Sequence, residues 1–240
     1  MDYQATFKRY ELKYLLTKEQ VTMLKSEMAG RLEIDSYGLT SIRNIYFDTD
    51  DYRLIRSSLD KPVYKEKLRV RSYGIIKNDE KVFVELKKKY EGIVYKRRIS
   101  SPESNAMIWL AGNGDNKESG QIVDEIDYFK SFYKGIKPKA FISYDREAYF
   151  PTDDTDIRIT LDTNLLGRST DLSLKKGIYG TRIIPADITV MEIKIPGSIP
   201  LWLVRFLNDN RIYKSSLSKY GKYYTDVICK NNGKGELKYA

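Results

Sequence analysis

Seven short stretches of the chain carry charged residues on one phase of a two-residue period, mostly with apolar residues between them. They are Arg9-Tyr-Glu-Leu-Lys13, Lys67-Leu-Arg-Val-Arg71, Val82-Phe-Val-Glu-Leu-Lys87, Lys96-Arg-Arg98, Tyr144-Asp-Arg146, Arg158-Ile-Thr-Leu-Asp162 and Glu192-Ile-Lys194. Successive side chains of a strand point to opposite faces, so this period of two predicts strands with one apolar and one charged face. The charged face is nearly all cationic: Arg9, Lys13, Lys67, Arg69, Arg71, Lys87, Lys96, Arg98, Arg146, Arg158 and Lys194. Only Glu11, Glu85, Asp162 and Glu192 share it.

Other patterns fill the intervals. Thr17-Lys-Glu-Gln20 is a capping-box start for a short helix with Val21, Leu24 and Met28 at helical spacing and Gly30 as its stop. A strand is expected over 43–48, with Thr49-Asp50-Asp51 capping a helical turn after it and Asp48 serving architecture. Strands over 63–73, 81–89 and 93–99 read as a meander, turned at Lys77-Asn78-Asp79 and Glu91-Gly92. Helices are expected from Ser101-Pro102 to about 110 and over 121–133. The glycine-rich stretch 112–120 between them has no period and reads as a mobile surface loop. Strands over 139–149, 156–164 and 186–195 and helices over 200–208 and 218–230 complete a single domain of residues 1–240, its core at about 7–224. Trp109 and Trp202, among apolar neighbours at helical spacing, read as core.

The fold class that follows is α+β and β-dominated. A one-layer sheet could pack its apolar face on the helices and leave the charged face wet. The density of cations favours turning that face inward instead, as a closed antiparallel barrel of about eight strands with helices packed outside. Such a basic tunnel is wide enough for one extended ligand.

Composition narrows the chemistry. A net charge of +9 points to anionic partners: nucleic acid, phosphorylated metabolites or an acidic membrane surface. The chain has no histidine, which removes Ser-His and Cys-His triads, histidine bases and the usual zinc sites. A metal would have to rest on carboxylates and phosphate oxygens, which favours Mg²⁺ or Mn²⁺. The single Cys229 cannot form an internal disulfide; it reads as a core thiol of a cytoplasmic protein. Residues 1–14 are charged throughout, unlike a signal peptide, and the longest apolar run, 199–207, is broken by Arg205 and falls short of the ~20 residues of a membrane span. Nucleic acid is disfavoured as a partner, because Tyr10, Tyr14 and Tyr95 fall on the strand phase opposite the cations and read as packing.

Lys67, Arg69 and Arg71 lie on one strand face at about 7 Å intervals, close to the spacing of alternate phosphates in an extended polyphosphate. Taken alone, that triplet reads equally as a solvated basic strand that blocks edge pairing; together with the six other basic alternations it favours phosphate binding. Glu192 is a candidate metal ligand or a countercharge for Lys194 or Arg158. Glu11 and Glu85 stand equally between a second metal contact and a countercharge holding an arginine.

Arg9-x-Glu11-x-Lys13 resembles the first-strand motif of the triphosphate tunnel superfamily, whose hydrolase and cyclase branches carry Glu-x-Glu-x-Lys. Arg in place of the first Glu is similar to the polyphosphate polymerase branch: the catalytic domain of the vacuolar transporter chaperone complex and its soluble bacterial relatives. Further matches follow in order: Tyr46-Phe-Asp-Thr49, Lys67 to Arg71, Val84-Glu-Leu-Lys87, Lys96-Arg-Arg98, Tyr144-Asp-Arg146, Arg158 to Asp162, Met191-Glu-Ile-Lys194 and Ser218-Lys-Tyr220. The resemblance implies a metal-dependent transfer of the ATP γ-phosphoryl onto polyphosphate. By motif, Lys13, Arg69, Arg71, Lys87, Lys96, Arg98, Arg146 and Arg158 would hold phosphates, with Arg9, Lys67 and Lys194 as further substrate contacts. Tyr144 and Lys219 would add contacts near the tunnel, and Glu192 would hold Mn²⁺ or Mg²⁺. ATP and polyphosphate are the implied partners; a membrane-protein partner, as in the eukaryotic relatives, is left open. A triphosphatase of the same fold and a non-catalytic polyphosphate or inositol-phosphate binding domain are the alternatives.

Overall fold

Alternation does build strands in the computed structural model, which describes residues 10–230 apart from 92, 113, 115–117 and 154–155. In chain order the elements begin with β1 (Tyr10–Leu16), α1 (Lys18–Met28), β2 (Leu32–Ile34), β3 (Thr40–Asp48), α2 (Arg53–Leu59) and β4 (Tyr64–Tyr73). Next come β5 (Lys81–Tyr90), β6 (Ile93–Pro102), α3 (Glu103–Leu110), α4 (Gln121–Tyr133), β7 (Lys137–Pro151) and β8 (Arg158–Arg168). The last are β9 (Thr181–Arg182), β10 (Thr189–Ile195), α5 (Leu201–Asp209), β11 (Lys214–Ser215), α6 (Lys219–Tyr223) and a π-helical turn, Tyr224–Ile228.

These gather into two compact units. The first takes the chain through Ser41 with Tyr144–Leu165 and Ile184–Leu217. In it β1 and β10 pair antiparallel, setting Lys13 opposite Glu192 and Glu11 opposite Lys194. β8 lies antiparallel on the other side of β10, with Thr160 opposite Glu192 and Arg158 opposite Lys194. The opposite phase of the same strands (Tyr14, Leu16, Ile159, Leu161, Met191 and Ile193) packs against Leu24 and Met28 of α1 and Leu203, Phe206 and Leu207 of α5. Full burial of each such side chain is worth about 1.5–3 kcal/mol, so the apolar phase fixes which face the charges take. The capping box at Thr17 forms as the sequence predicts, Thr17 Oγ1 accepting from Gln20 N and Gln20 Oε1 from Thr17 N.

The second unit comprises Ile42–Ser143, Leu166–Ile183 and the chain from Ser218. Here β4, β5 and β6 form the expected antiparallel meander, and β3 pairs antiparallel with β4. Leu68, Val70, Val82, Val84 and Leu86 turn towards Ala106 and Trp109 of α3 and Ile126 and Phe129 of α4. Arg97, of opposite phase to Lys96 and Arg98, joins Lys88 on Glu125 of α4. Asp48 ends β3 by accepting from the backbone N–H groups of Thr49, Leu54 and Ile55 and from the Tyr220 hydroxyl, the architectural role its place before a helical turn suggests.

The pairing order is β11-β1-β10-β8-β7-β3-β4-β5-β6, with β2 on β7 and β9 on β8. Among the described residues the expected closed barrel of eight strands is therefore corrected to an eleven-stranded sheet whose end strands, β11 and β6, do not pair. Charge density reports which face carries cations; it holds no information on whether edge strands meet. Two smaller corrections accompany it. Cys229 is exposed, since it follows the π-helical turn, which re-phases the helix expected over 218–230. Tyr10 is also exposed, while Tyr14 is core. Trp109 is core as expected, and Trp202 packs at the core margin beneath Arg31. Gly92 and residues 113 and 115–117 of the glycine-rich stretch lie outside the described residues. Among the described residues no helix is long and apolar enough to cross a membrane.

Candidate functional site: two basic clusters on buried carboxylates

The charged phase of each unit converges on one buried glutamate. In the second unit this is Glu85 on β5, whose side chain is 1% exposed. Register places it between Arg69 of β4 and Arg98 of β6. Arg69 reaches Glu85 Oε2 at 2.8 and 2.7 Å, and Arg98 and Lys96 reach Oε1 at 2.7 Å. Arg71 lies 3.8 Å away and gives its Nε–H to Asn44 Oδ1 at 2.9 Å. Four cations thus share one carboxylate. Burial alone would push the Glu85 carboxyl up; Arg69, Arg71, Lys96 and Arg98 instead hold it well below the usual carboxylate range. Lys96 moves the other way, down to about 7, because burial and the neighbouring Arg98 and Arg69 outweigh Glu85.

Neutral side chains aim these cations. Tyr46 OH accepts from Arg69 and Tyr73 OH from Arg98, both at 3.0 Å, and Arg98 lies over the Phe83 ring. Lys67 donates to Ser218 Oγ at 2.9 Å. Lys87 sits opposite both Lys67 and Lys96 across its two neighbouring strands, and Lys219 follows Ser218 at the start of α6. The guanidinium and ammonium groups are pre-placed, so a multiply charged anion need not order them on arrival.

In the first unit the glutamate is Glu192 on β10, its side chain 7% exposed. Lys194 is 3.0 Å and Lys13 3.9 Å from its carboxylate, and Glu11 makes a side-chain hydrogen bond to it. Burial would raise the Glu192 carboxyl; Lys194 and Lys13, with Glu11 and Arg146, hold it well below its ordinary value. Arg146 is clamped bidentately by Asp162 at 2.6 and 2.7 Å and lies over the Tyr144 ring. Arg158 lies over the Phe150 ring at 4.6 Å.

The sequence-predicted residues therefore fall into two sets. Lys13, Glu11, Arg146, Glu192 and Lys194 come together in the first unit, with Tyr144 on the strand of Arg146 and Arg158 opposite Lys194 on β8. Arg69, Arg71, Glu85, Lys96 and Arg98 come together in the second, with Lys67, Lys87 and Lys219 alongside. Arg9 lies outside the described residues. Cations occupy both oxygens of Glu85, the arrangement of a countercharge. Lys194 and Lys13 likewise face the two oxygens of Glu192, but there Glu11 adds a second carboxyl group in contact, and such a pair of oxygen donors suits a hard divalent cation. Among the described residues no cluster of three or more carboxylates, histidines or cysteines exists, so phosphate oxygens would have to complete such a coordination shell. Asn44 and Tyr46 carry work that charge counting missed. The alternation of β3 offered a signal for both, since they share a phase opposite Ile45 and Phe47.

Comparison with known proteins places these clusters in context. Residues 8–227 match the family model of the VTC domain. Subunit 4 of the vacuolar transporter chaperone complex of Schizosaccharomyces pombe is 27% identical over 192 residues, 68% of this chain and 26% of that protein. The chain thus spans about a quarter of the length of that curated relative. A solved structure from Bacillus halodurans, of a protein named as an adenylate cyclase, superposes with a TM-score of 0.55 at 16% identity, covering 88% of this chain and 95% of its own. At that identity the likeness concerns the fold alone.

Proposed function

Because this chain belongs to the VTC domain family, we propose that it is a polyphosphate polymerase, transferring the γ-phosphoryl group of ATP onto the end of a polyphosphate chain. The observation that carries the reading is the gathering of Arg69, Arg71, Lys96 and Arg98 on the single carboxylate of Glu85. That excess of fixed positive charge suits a polyanion.

In the proposed step a terminal oxygen of the acceptor chain attacks the γ-phosphorus of ATP. A bond from that oxygen to phosphorus forms, the bond from the γ-phosphorus to the β,γ-bridging oxygen breaks, and ADP leaves with the electron pair. The attacking oxygen is already anionic and needs no general base, which agrees with a chain that has no histidine. The protein's work is then alignment and charge neutralisation. In the second unit, arginines paired to Glu85 and steadied by Tyr46, Tyr73 and Asn44 bind phosphate oxygens with rigid forks. In the first, Lys13 and Lys194 reach phosphate from either side of Glu192, and Arg146, locked by Asp162, keeps a fixed direction. Glu192 and Glu11 would hold a Mn²⁺ or Mg²⁺ ion, which when bound neutralises further charge on phosphate oxygens.

Glu192→Gln tests the assignment. It should bind tripolyphosphate within a few-fold of the wild type while losing phosphoryl transfer by more than about a hundredfold. Unchanged transfer, or equal loss of binding and transfer, would reduce Glu192 to a countercharge.

A further inference from the structure

Thr160 lies on β8 between Arg158 and Asp162 in the same phase, directly opposite Glu192 of β10. It is 1% exposed, and its hydroxyl oxygen is buried without a hydrogen-bond partner among the described residues. A β-branched residue suits a strand, but valine would fill the same space without burying an oxygen. Native structures seldom leave a buried hydroxyl unpaired, so such a group calls for a reason. The reason lies across the ladder. Directly opposed side chains on one face have their Cβ atoms about 4.5–5.5 Å apart, which sets the Thr160 and Glu192 side chains next to each other. That carboxylate is itself engaged by Lys194 at 3.0 Å and Lys13 at 3.9 Å.

We propose that Thr160 is a positioning residue for Glu192, its hydroxyl donating to the carboxylate when an incoming phosphate draws Lys13 and Lys194 away. A lysine bound to phosphate ceases to neutralise Glu192, and a buried carboxylate that loses part of its partners is costly. A neutral hydroxyl meets that need without adding a charge that would oppose a cation at Glu192. Thr160 is thus the waiting partner, idle in the free protein and engaged in the complex. The inference rests on the reading of Lys13 and Lys194 as phosphate-binding residues.

The test is a calorimetric titration of inorganic tripolyphosphate into the wild type, Thr160→Val and Thr160→Ser, with the first two repeated in a Glu192→Gln background. Thr160→Val should bind roughly tenfold more weakly, the scale of a lost hydrogen bond to a charged group, while Thr160→Ser stays close to wild type. In the Glu192→Gln background the valine substitution should cost little more, because the charge it serves is gone. The unliganded Thr160→Val protein should melt no lower than the wild type. Wild-type affinity in Thr160→Val, equal weakening in Thr160→Ser, or an undiminished loss in the Glu192→Gln background would each overturn the proposal. So would a drop in the melting temperature of unliganded Thr160→Val, which would make Thr160 a packing residue. A wild type that fails to bind tripolyphosphate would instead sink the phosphate-binding reading, and that result is visible before any variant is made.

Discussion

Glu85 is the residue on which the second unit's chemistry turns. With 1% of its side chain exposed and Arg69, Lys96 and Arg98 all within 3 Å, it is the countercharge that lets these cations sit together without a ligand. Removing one partner from a buried charged set leaves the others uncompensated, at about 3–5 kcal/mol. Glu85→Gln should therefore lose stability on that scale in urea unfolding, and saturating tripolyphosphate should restore part of it. A loss below about 1 kcal/mol would show the cations to be separately solvated. The sign of the pH dependence follows from the depressed carboxyl. Native Glu85 stays charged where the unfolded chain protonates, so its stabilising contribution is complete above about pH 4.3 and is lost as the pH falls from there. Lys96 behaves oppositely in binding. With its ammonium brought down to about 7, it loses its charge as the pH rises through that value. The affinity advantage of the wild type over Lys96→Met for tripolyphosphate should shrink over the same range; a constant advantage would place the Lys96 titration elsewhere. At this scale the cations were legible because charge marks them plainly. Asn44 and Tyr46, which aim Arg71 and Arg69, are neutral and conceal their role until register brings them together.

At the scale of elements, the two-residue period located β1, β4, β5, β6, β8 and β10, and it set their faces correctly. Arg97 shows why the phase can be trusted: it sits between Lys96 and Arg98 in sequence yet pairs with Glu125 on the helix-covered face. What the period could not show were β2, β9 and β11, at two or three residues each too short to alternate. The helical turn that Thr49-Asp50-Asp51 signalled forms as α2, which enters through Tyr52 in the left-handed region and is held by Asp48. The irregular segment after β8 has its own organiser. Arg168 donates to the carbonyls of Asp171, Ser173, Gly177 and Tyr179, with its guanidinium 3.6 Å from the centre of the Phe141 ring. Arg43 similarly holds the carbonyls of Leu174 and Lys176. Two arginines thus do for this segment what a strand ladder would do elsewhere. Arg168→Met should free it, seen as faster amide exchange over 169–180 with β4 and β5 still protected. Unaltered exchange there would mean that the segment holds without its arginine.

For the whole molecule, the excess of 42 basic over 33 acidic residues indicated an anionic partner, and the structure shows where part of that excess is fixed. Class and sheet order were legible to different degrees. The β-dominated antiparallel class follows from alternation and tyrosine-rich strands, whereas the pairing of β1 with β10 depends on contacts far apart in sequence that leave no local trace. Binding driven by such fixed cations should weaken as ionic strength rises, yet salt sensitivity would be shared by a polymerase, a triphosphatase and a binding domain. The decisive measurement is the product made from ATP: incubate the purified protein with ATP and Mn²⁺, then separate polymer, ADP and free phosphate. The account predicts polyphosphate growing in step with ADP, with little free phosphate. Free phosphate without polymer, or tight polyphosphate binding with no turnover of ATP, would contradict it.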